Sequence, residues 1–168
     1  LEHIQTISRN TRLKCTQFNY LHQSYLDPIK LFKIFGGQPR NCPRCNDIVP
    51  NFYHMVWTCA IIGNFWNRVV CHLNRTLGRD LQTTPTGCLL GLIKRQPRKK
   101  AGNRITDLAL GVARKSIARS WKSSTGPTYE NWFTEVKRWA YAEEQAILRE
   151  ERTGKRLLPL SPTWREVT

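Results

Sequence analysis

The sequence predicts a mostly α-helical fold: a small domain pinned together at one point, with irregular connectors between its helices. Three observations carry this expectation. Apolar residues recur at a helical period in several segments, and Ile61, Ile62, Phe65, Trp66, Val69, Val70 and Leu73 form the widest stripe. Asp27-Pro28 and Gly36-Gly37 stand where a helix would start and stop. Three cysteines and a histidine fall within the stretch CPRCNDIVPNFYHMVWTC, in a chain of 168 residues of which 40% are hydrophobic. A core built from that composition is modest in size.

The elements follow in order. Residues from about 8 to 26 read as a helix, because Leu13, Phe18, Leu21 and Tyr25 fall near a 3.6 period. Asp27 is a good N-cap and Pro28 a good first helical residue, so PIKLFKIF is a short second helix ending at Gly36-Gly37. GGQPRNCPRC is loop and turn. A strong helix runs from Thr58, a possible cap, to about Leu73. GRDLQTTPTG is a connector, since Gly78, Pro85 and Gly87 break periodicity, and CLLGLI is either strand or buried turn. KRQPRKKAGNR, from Lys94 to Arg104, holds six basic residues and no acid, and reads as an exposed linker or arm.

A further helix spans about Ile105 to Lys122, with Ile105, Leu108, Val112 and Trp121 on one side and Arg114, Lys115, Arg119 and Lys122 on the other. Pro127 opens a last helix to about Arg152, with Trp132, Val136, Trp139 and Ile147 toward the core. The expected organisation is a helical lead-in with the Cys/His segment over 1–92, a basic arm over 93–104, a hairpin-like helical tail over 105–153 and an irregular tail over 154–168.

Cys42, Cys45, His54 and Cys59 have the spacing C-x2-C-x8-H-x4-C. Four such ligands are what a tetrahedral structural zinc site takes, whereas a catalytic zinc keeps one position open. Pro43-Arg44 between the first pair suits a tight turn that points both sulfurs to one side. His54 and Cys59 are separated by about 140° in a continuous α-helix, so both cannot face one ion there. His54 is therefore expected before the helix, with Cys59 in its first turn, where the helix dipole favours a thiolate. Arg40 and Arg44 flank the turn and can offset the excess negative charge of three thiolates around Zn2+. Packing, disulfides or thiol chemistry are the rival readings. The expected fold is thus a helical domain organised around a structural zinc clip, and the remaining cysteines fit a reduced, intracellular protein of the nucleus and/or cytoplasm.

Residues 1–127 carry 20 Lys/Arg and 5 Asp/Glu, while residues 128–168 carry 7 of each. The whole excess of +15 therefore lies in the first three quarters of the chain. Such a body attracts polyanions, nucleic acid above all, although a solubilising surface is the plainer reading. Lys94, Arg95, Arg98, Lys99, Lys100 and Arg104 can follow a phosphate backbone, or serve as a linker or nuclear-import address. Arg114, Lys115, Arg119 and Lys122 can extend that path. Phe52, Tyr53 and Trp57 are candidates for base stacking, against the alternative that they are core. No run of about 18 apolar residues occurs, so no membrane span is expected, and the expected partners include no small-molecule substrate. A chain that starts at Leu1 is expected to be part of a longer polypeptide.

The stretch NCPRCN…FYHMVWTCAIIGNFWNRV resembles the zinc-binding segment that follows the reverse transcriptase domain in LINE-type, non-long-terminal-repeat retrotransposon polyproteins. FNYLHQSYLDPIKLFKIFG resembles the helical lead-in to that segment. CLLGL, with ARKSIARSWKS…PTYENWFTEV, resembles the tail of vertebrate elements, especially those of fish and amphibians. Together these cover roughly residues 10–145. The resemblance implies that Cys42, Cys45, His54 and Cys59 are the ligands. It also implies a mostly helical C-terminal domain that helps the parent protein hold RNA and/or DNA during target-primed reverse transcription. Its partners would be nucleic acid and the remainder of the polyprotein. Polymerases of that kind need paired aspartates for two metal ions, and Asp27, Asp47, Asp80 and Asp107 are isolated, so no catalysis is expected of this segment. The alternative is a structural domain that braces the polymerase or recruits a protein without touching nucleic acid.

Overall fold

The computed structural model describes residues 10–37, 41–48, 50–95 and 100–151, with the side chains of residues 100, 101, 150 and 151 outside that set. Arg40, Arg98, Lys99, the side chain of Lys100 and the expected tail over 154–168 fall outside the described residues. Among those residues the fold is helical with no strand. The helices are α1 (Thr11–Leu21), α2 (Pro28–Phe35), α3 (Ala60–Leu77), α4 (Pro85–Leu90), α5 (Lys100–Arg119) and α6 (Tyr129–Glu151), and a single π-helical turn, His54–Thr58, precedes α3.

Local signals account for most of the boundaries. The Asn10 side chain accepts from the Arg12 N–H to start α1, and the chain leaves that helix at His22, with Gln23 at φ 48°. The helix expected to reach residue 26 therefore ends five residues earlier. Its core face is Leu13, Thr16, Gln17 and Tyr20, whereas Phe18 and Leu21 are largely exposed. Asp27 caps α2 through the Lys30 N–H at 2.8 Å, with Pro28 following, and Gly36 at φ 63° ends it, as the sequence predicts. Gly78, in the left-handed region, closes α3. The segment CLLGLI is neither strand nor turn throughout: Thr84 caps, Pro85 starts and Gly91 ends the short helix α4. That Thr-Pro pair is the same start signal as Asp27-Pro28.

The arm expected over Lys94–Arg104 is shorter than its composition suggests, because α5 already begins at Lys100. The buried Arg79 guanidinium donates to the side chains of Asn103 and Thr106, which ties the first turns of α5 to the end of α3. Arg95 reaches the buried carboxylate of Asp107 at 2.9 Å.

One hydrophobic cluster unites the chain. Helix α5 is its axis: residues 105–114 are buried without a break, and α5 packs on α1, α3 and α6. α5 and α6 run antiparallel, since Arg104 lies near Glu143 and Lys115 near Glu135, and the Trp132 indole joins the two helices by donating to the Ala109 carbonyl. Trp132, Val136 and Ile147 are buried and Trp139 packs partly against the core, as their period predicts. The turn between α5 and α6 needs glycine at 126: φ is +73°, and a Cβ there would lie 2.8 Å from a methyl of Ile61. The segments expected as lead-in and tail thus share a core, and the Cys/His segment is held between them.

Candidate metal centre and cationic surface

The turn that carries Cys42 and Cys45 is closed by two backbone hydrogen bonds. The Asn46 N–H donates to the Cys42 carbonyl (2.9 Å) and the Cys42 N–H to the Asp47 carbonyl (2.8 Å). Asn46 sits at φ 62°, a conformation asparagine tolerates better than most residues. The backbone N–H groups of Cys45 and Arg44 point at the Cys42 sulfur. The second pair is placed by the π-helical turn: the Cys59 N–H donates to the His54 carbonyl at 3.1 Å. One i-to-i+5 turn brings residue 59 back over residue 54. This resolves the angular mismatch that an α-helix would impose, and it is why His54 precedes α3 while Cys59 serves as its N-cap.

The four ligand atoms lie within 4.8 Å of one another. A tetrahedral ion with bonds of about 2.0–2.3 Å holds its ligands roughly 3.3–3.8 Å apart, so a small inward adjustment closes this cage. Cys42, His54 and Cys59 are buried and Cys45 is exposed. His54 presents Nε2 to the cage, 3.3 Å from the Cys45 sulfur. Its Nδ1 faces the Thr58 hydroxyl at 3.3 Å and the Asp47 carboxylate at 3.5 Å. Partners on the far nitrogen fix the tautomer and the ring plane of a metal-binding imidazole. Thr58 therefore orients the histidine and is not the cap of α3, for which no side-chain bond forms.

The electrostatics suit a cation. Burial raises the Cys42 thiol, but the N–H groups of Cys45 and Arg44 and the neighbouring thiols outweigh it and leave its pKa below the ordinary value. Burial and the sulfurs of Cys42 and Cys59 push Cys45 up to about 11. Burial also lowers the His54 pKa, which favours the neutral form that a metal ligand needs. A cation among the sulfurs would favour ionised ligands, as an opposite charge close to a titratable group does. The Arg44 guanidinium is part of that balance, since the neighbouring sulfurs of Cys42 and Cys59 favour its charged form against the cost of its burial. The cluster can hold a metal ion with four soft or borderline ligands and no open position.

Of the residues expected on a nucleic-acid surface, the structure leaves some outside and withdraws others. Arg44 is buried, donating to the Met55 carbonyl (2.8 Å) and the Ser120 carbonyl (3.1 Å). Its role is internal, linking the Cys-rich turn to the end of α5. Arg114 is also buried. It donates to the Cys88 carbonyl at 2.7 Å, at the C-terminal end of α4, and burial lowers its pKa to about 10. Its sequence neighbours suggested an exposed face, but α1 and α4 cover this side of α5. Lys94, Arg95, Arg119 and Lys122 are exposed, while Arg104 and Lys115 are partly buried beside Glu143 and Glu135. Phe52 is core, lying about 6 Å, centroid to centroid, from both Tyr20 and Trp121. Trp57 is half-buried near Trp66, and Tyr53 is exposed.

The sequence reading did not single out Thr58 and Asp47 as supports of His54, nor Arg12, Glu135 and Arg138. A threonine at i+4 from a ligand histidine was a local signal. Glu135 and Arg138, three apart on α6, were a local signal too, whereas Arg12 joins them only through the packing of the helices. Among the described residues no helix is long and apolar enough to cross a membrane. No protein-family model matches the chain.

Proposed function

We propose that this chain is a non-catalytic, zinc-containing module that holds RNA or DNA, in the accessory role that its resemblance to LINE-type reverse transcriptase polyproteins implies. The observation that carries the reading is a closed Cys3His cage in a molecule of net charge +15. Thiolate and imidazole donors in a compact four-ligand set favour zinc over magnesium or calcium. Cys42, Cys45, His54 and Cys59 would hold the ion, which would pin the Cys-rich turn to the start of α3. With four protein ligands the ion has no position left for substrate or water, so its contribution is to the fold. Arg119, Lys122 and Lys94 then remain outside for phosphate, whereas Arg95 is engaged with Asp107.

A second reading has its own observation. On α2, Ile34 and Phe35 are 59% and 68% exposed, and nearby Leu26 is 44% exposed. Leu26, Leu31 and Phe35 border a cavity of about 570 Å3 beside the Cys-rich turn. Apolar exposure of this kind suits a protein partner, such as the remainder of a polyprotein.

The test is metal content by mass spectrometry together with RNA binding of the purified chain at two salt concentrations. One zinc per chain, and an affinity that falls steeply with salt, support the proposal. Metal-free protein, or binding that is absent at low salt, refutes it. Capture of the polymerase portion without RNA binding establishes the second reading.

A further inference from the structure

The end of α5 and the first half of α6 line one side of the molecule. Two adjoining clefts form there, each of about 450 Å3, and they share Arg119 and Glu135. Arg12 from α1 and Arg138 and Trp139 from α6 complete one end. Ser116, Ser120 and Thr128 line the other. Glu135 is the centre of the arrangement. Its carboxylate accepts from Lys115 Nζ (3.1 Å), Arg138 Nη1 (3.3 Å) and the Trp139 indole (3.1 Å), and Arg119 Nη1 lies 3.7 Å away. The Lys115 ammonium also sits 4.5 Å above the Trp139 ring.

The charges do not balance. Four cations border the groove against one carboxylate. A carboxylate offers roughly four lone-pair sites, whereas each guanidinium brings five N–H donors and each ammonium three. Arg119 and Arg138 spend one contact each on Glu135, and their side chains remain 68% and 77% exposed. Burial alone would raise the Glu135 pKa, but Lys115, Trp139 and Arg119 outweigh it and hold it below the ordinary carboxylate value. Glu135 thus gathers cations that it cannot saturate, in a concave site, and their mutual repulsion is relieved by further negative charge.

We propose that this groove is a track for the phosphodiester backbone of a nucleic acid, with Arg12, Arg119 and Arg138 as its phosphate contacts and Glu135 as the residue that positions them. The proposal rests on the nucleic-acid reading above and locates it. A phosphodiester chain carries one charge per repeat, which suits cations strung along a groove. Planar guanidinium forks match phosphate oxygens in pairs. An acidic protein segment would need apolar anchors as well, and beyond Trp139 and Pro127 the groove offers few.

The experiment is fluorescence anisotropy with a labelled single-stranded RNA of about 20 nucleotides, titrated across salt. The chains compared are the full chain, its Arg12→Gln/Arg119→Gln/Arg138→Gln variant and a Lys94→Gln/Lys122→Gln control for the other exposed cations. The substituted arginines of the groove are exposed, so zinc content and helicity should not change. Loss of three contacts should lower the slope of log affinity against log salt by about 2, and affinity on the order of 100-fold at 0.1 M salt. Glu135→Gln adds a net positive charge, yet affinity should fall because the cations lose their organiser. RNA binding by the triple variant equal to that of the parent, with the control weakened, overturns the groove and leaves the nucleic-acid reading standing. Failure of the parent chain to bind removes both. Tighter binding by Glu135→Gln shows an unstructured cloud of charge and overturns the groove. Poly-glutamate binding that depends on these arginines when RNA binding does not would assign the groove to an acidic protein segment instead.

Discussion

Arg44→Met tests whether this arginine belongs to the interior. Methionine has similar length and no donors, so the cavity left behind is small. What is lost is two charge-assisted hydrogen bonds, one to Met55 O and one to Ser120 O, the latter joining positions 76 residues apart. Bonds of this class contribute about 1.5–3 kcal/mol each, and releasing a buried cation from its desolvation cost offsets part of the loss. A net destabilisation of about 2–4 kcal/mol follows. In a domain of this size that corresponds to roughly 6–14 °C in the melting temperature. The variant also removes the positive charge beside the thiolates of Cys42 and Cys59, so zinc affinity should fall by about 10–100-fold, as for other supporting residues around metal ligands. Thermal unfolding by circular dichroism reads the first effect and competition with a chromophoric chelator reads the second. RNA affinity per folded molecule at low temperature should be unchanged. A variant that melts with the parent, keeps its metal and loses RNA binding would show Arg44 to be an exposed phosphate contact and refute the argument.

Three other outcomes follow from the structure. Cys59→Ser, or prolonged chelation of the parent chain, should remove the metal and lower thermal stability, because the start of α3 and the Cys-rich turn lose their common anchor; an unchanged melting curve after verified metal loss would contradict this. Gly126→Ala should cost about 1–3 kcal/mol, since it combines a backbone conformation unfavourable to side chains with a contact of 2.8 Å to Ile61, and denaturant titration with an unshifted midpoint would count against it. His72 lies among Tyr129, Trp132 and Phe133, and burial, with Arg75 adding, lowers its pKa. The unfolded chain therefore takes up this proton first: the stabilisation is present above about pH 6.5 and is lost as pH falls through the lower folded value. Melting temperatures of the parent should drop more between pH 8 and pH 5 than those of His72→Gln, and parallel curves would exclude the effect.

What was legible in the sequence is what depends on neighbours along the chain. Asp27-Pro28 marked the start of α2 and Gly36 its end, because capping is settled within a few residues. The stripe of α3 and the core residues of α6 followed from a period of 3.6. The identity of the four candidate ligands was visible in their spacing, and so was the need for His54 to leave the α-helix before Cys59. The form of that departure, an i-to-i+5 turn with Thr58 and Asp47 behind the imidazole, was not, since no propensity of HMVWT distinguishes it from an ordinary first turn. Tertiary structure alone decided the fate of the charges. The sequence determined how many cations the chain carries and that the excess lies before residue 128, but a side chain is buried or exposed according to which other helices cover it. Arg44 and Arg114 were drawn inward to carbonyls at the ends of other segments. Arg119 and Arg138, on consecutive helices, were left beside the Glu135 carboxylate, and Arg12, over a hundred positions earlier in the sequence, was brought to the same cleft. Charge is additive along a sequence, whereas the field that a ligand meets depends on distance and solvent, and folding sets both.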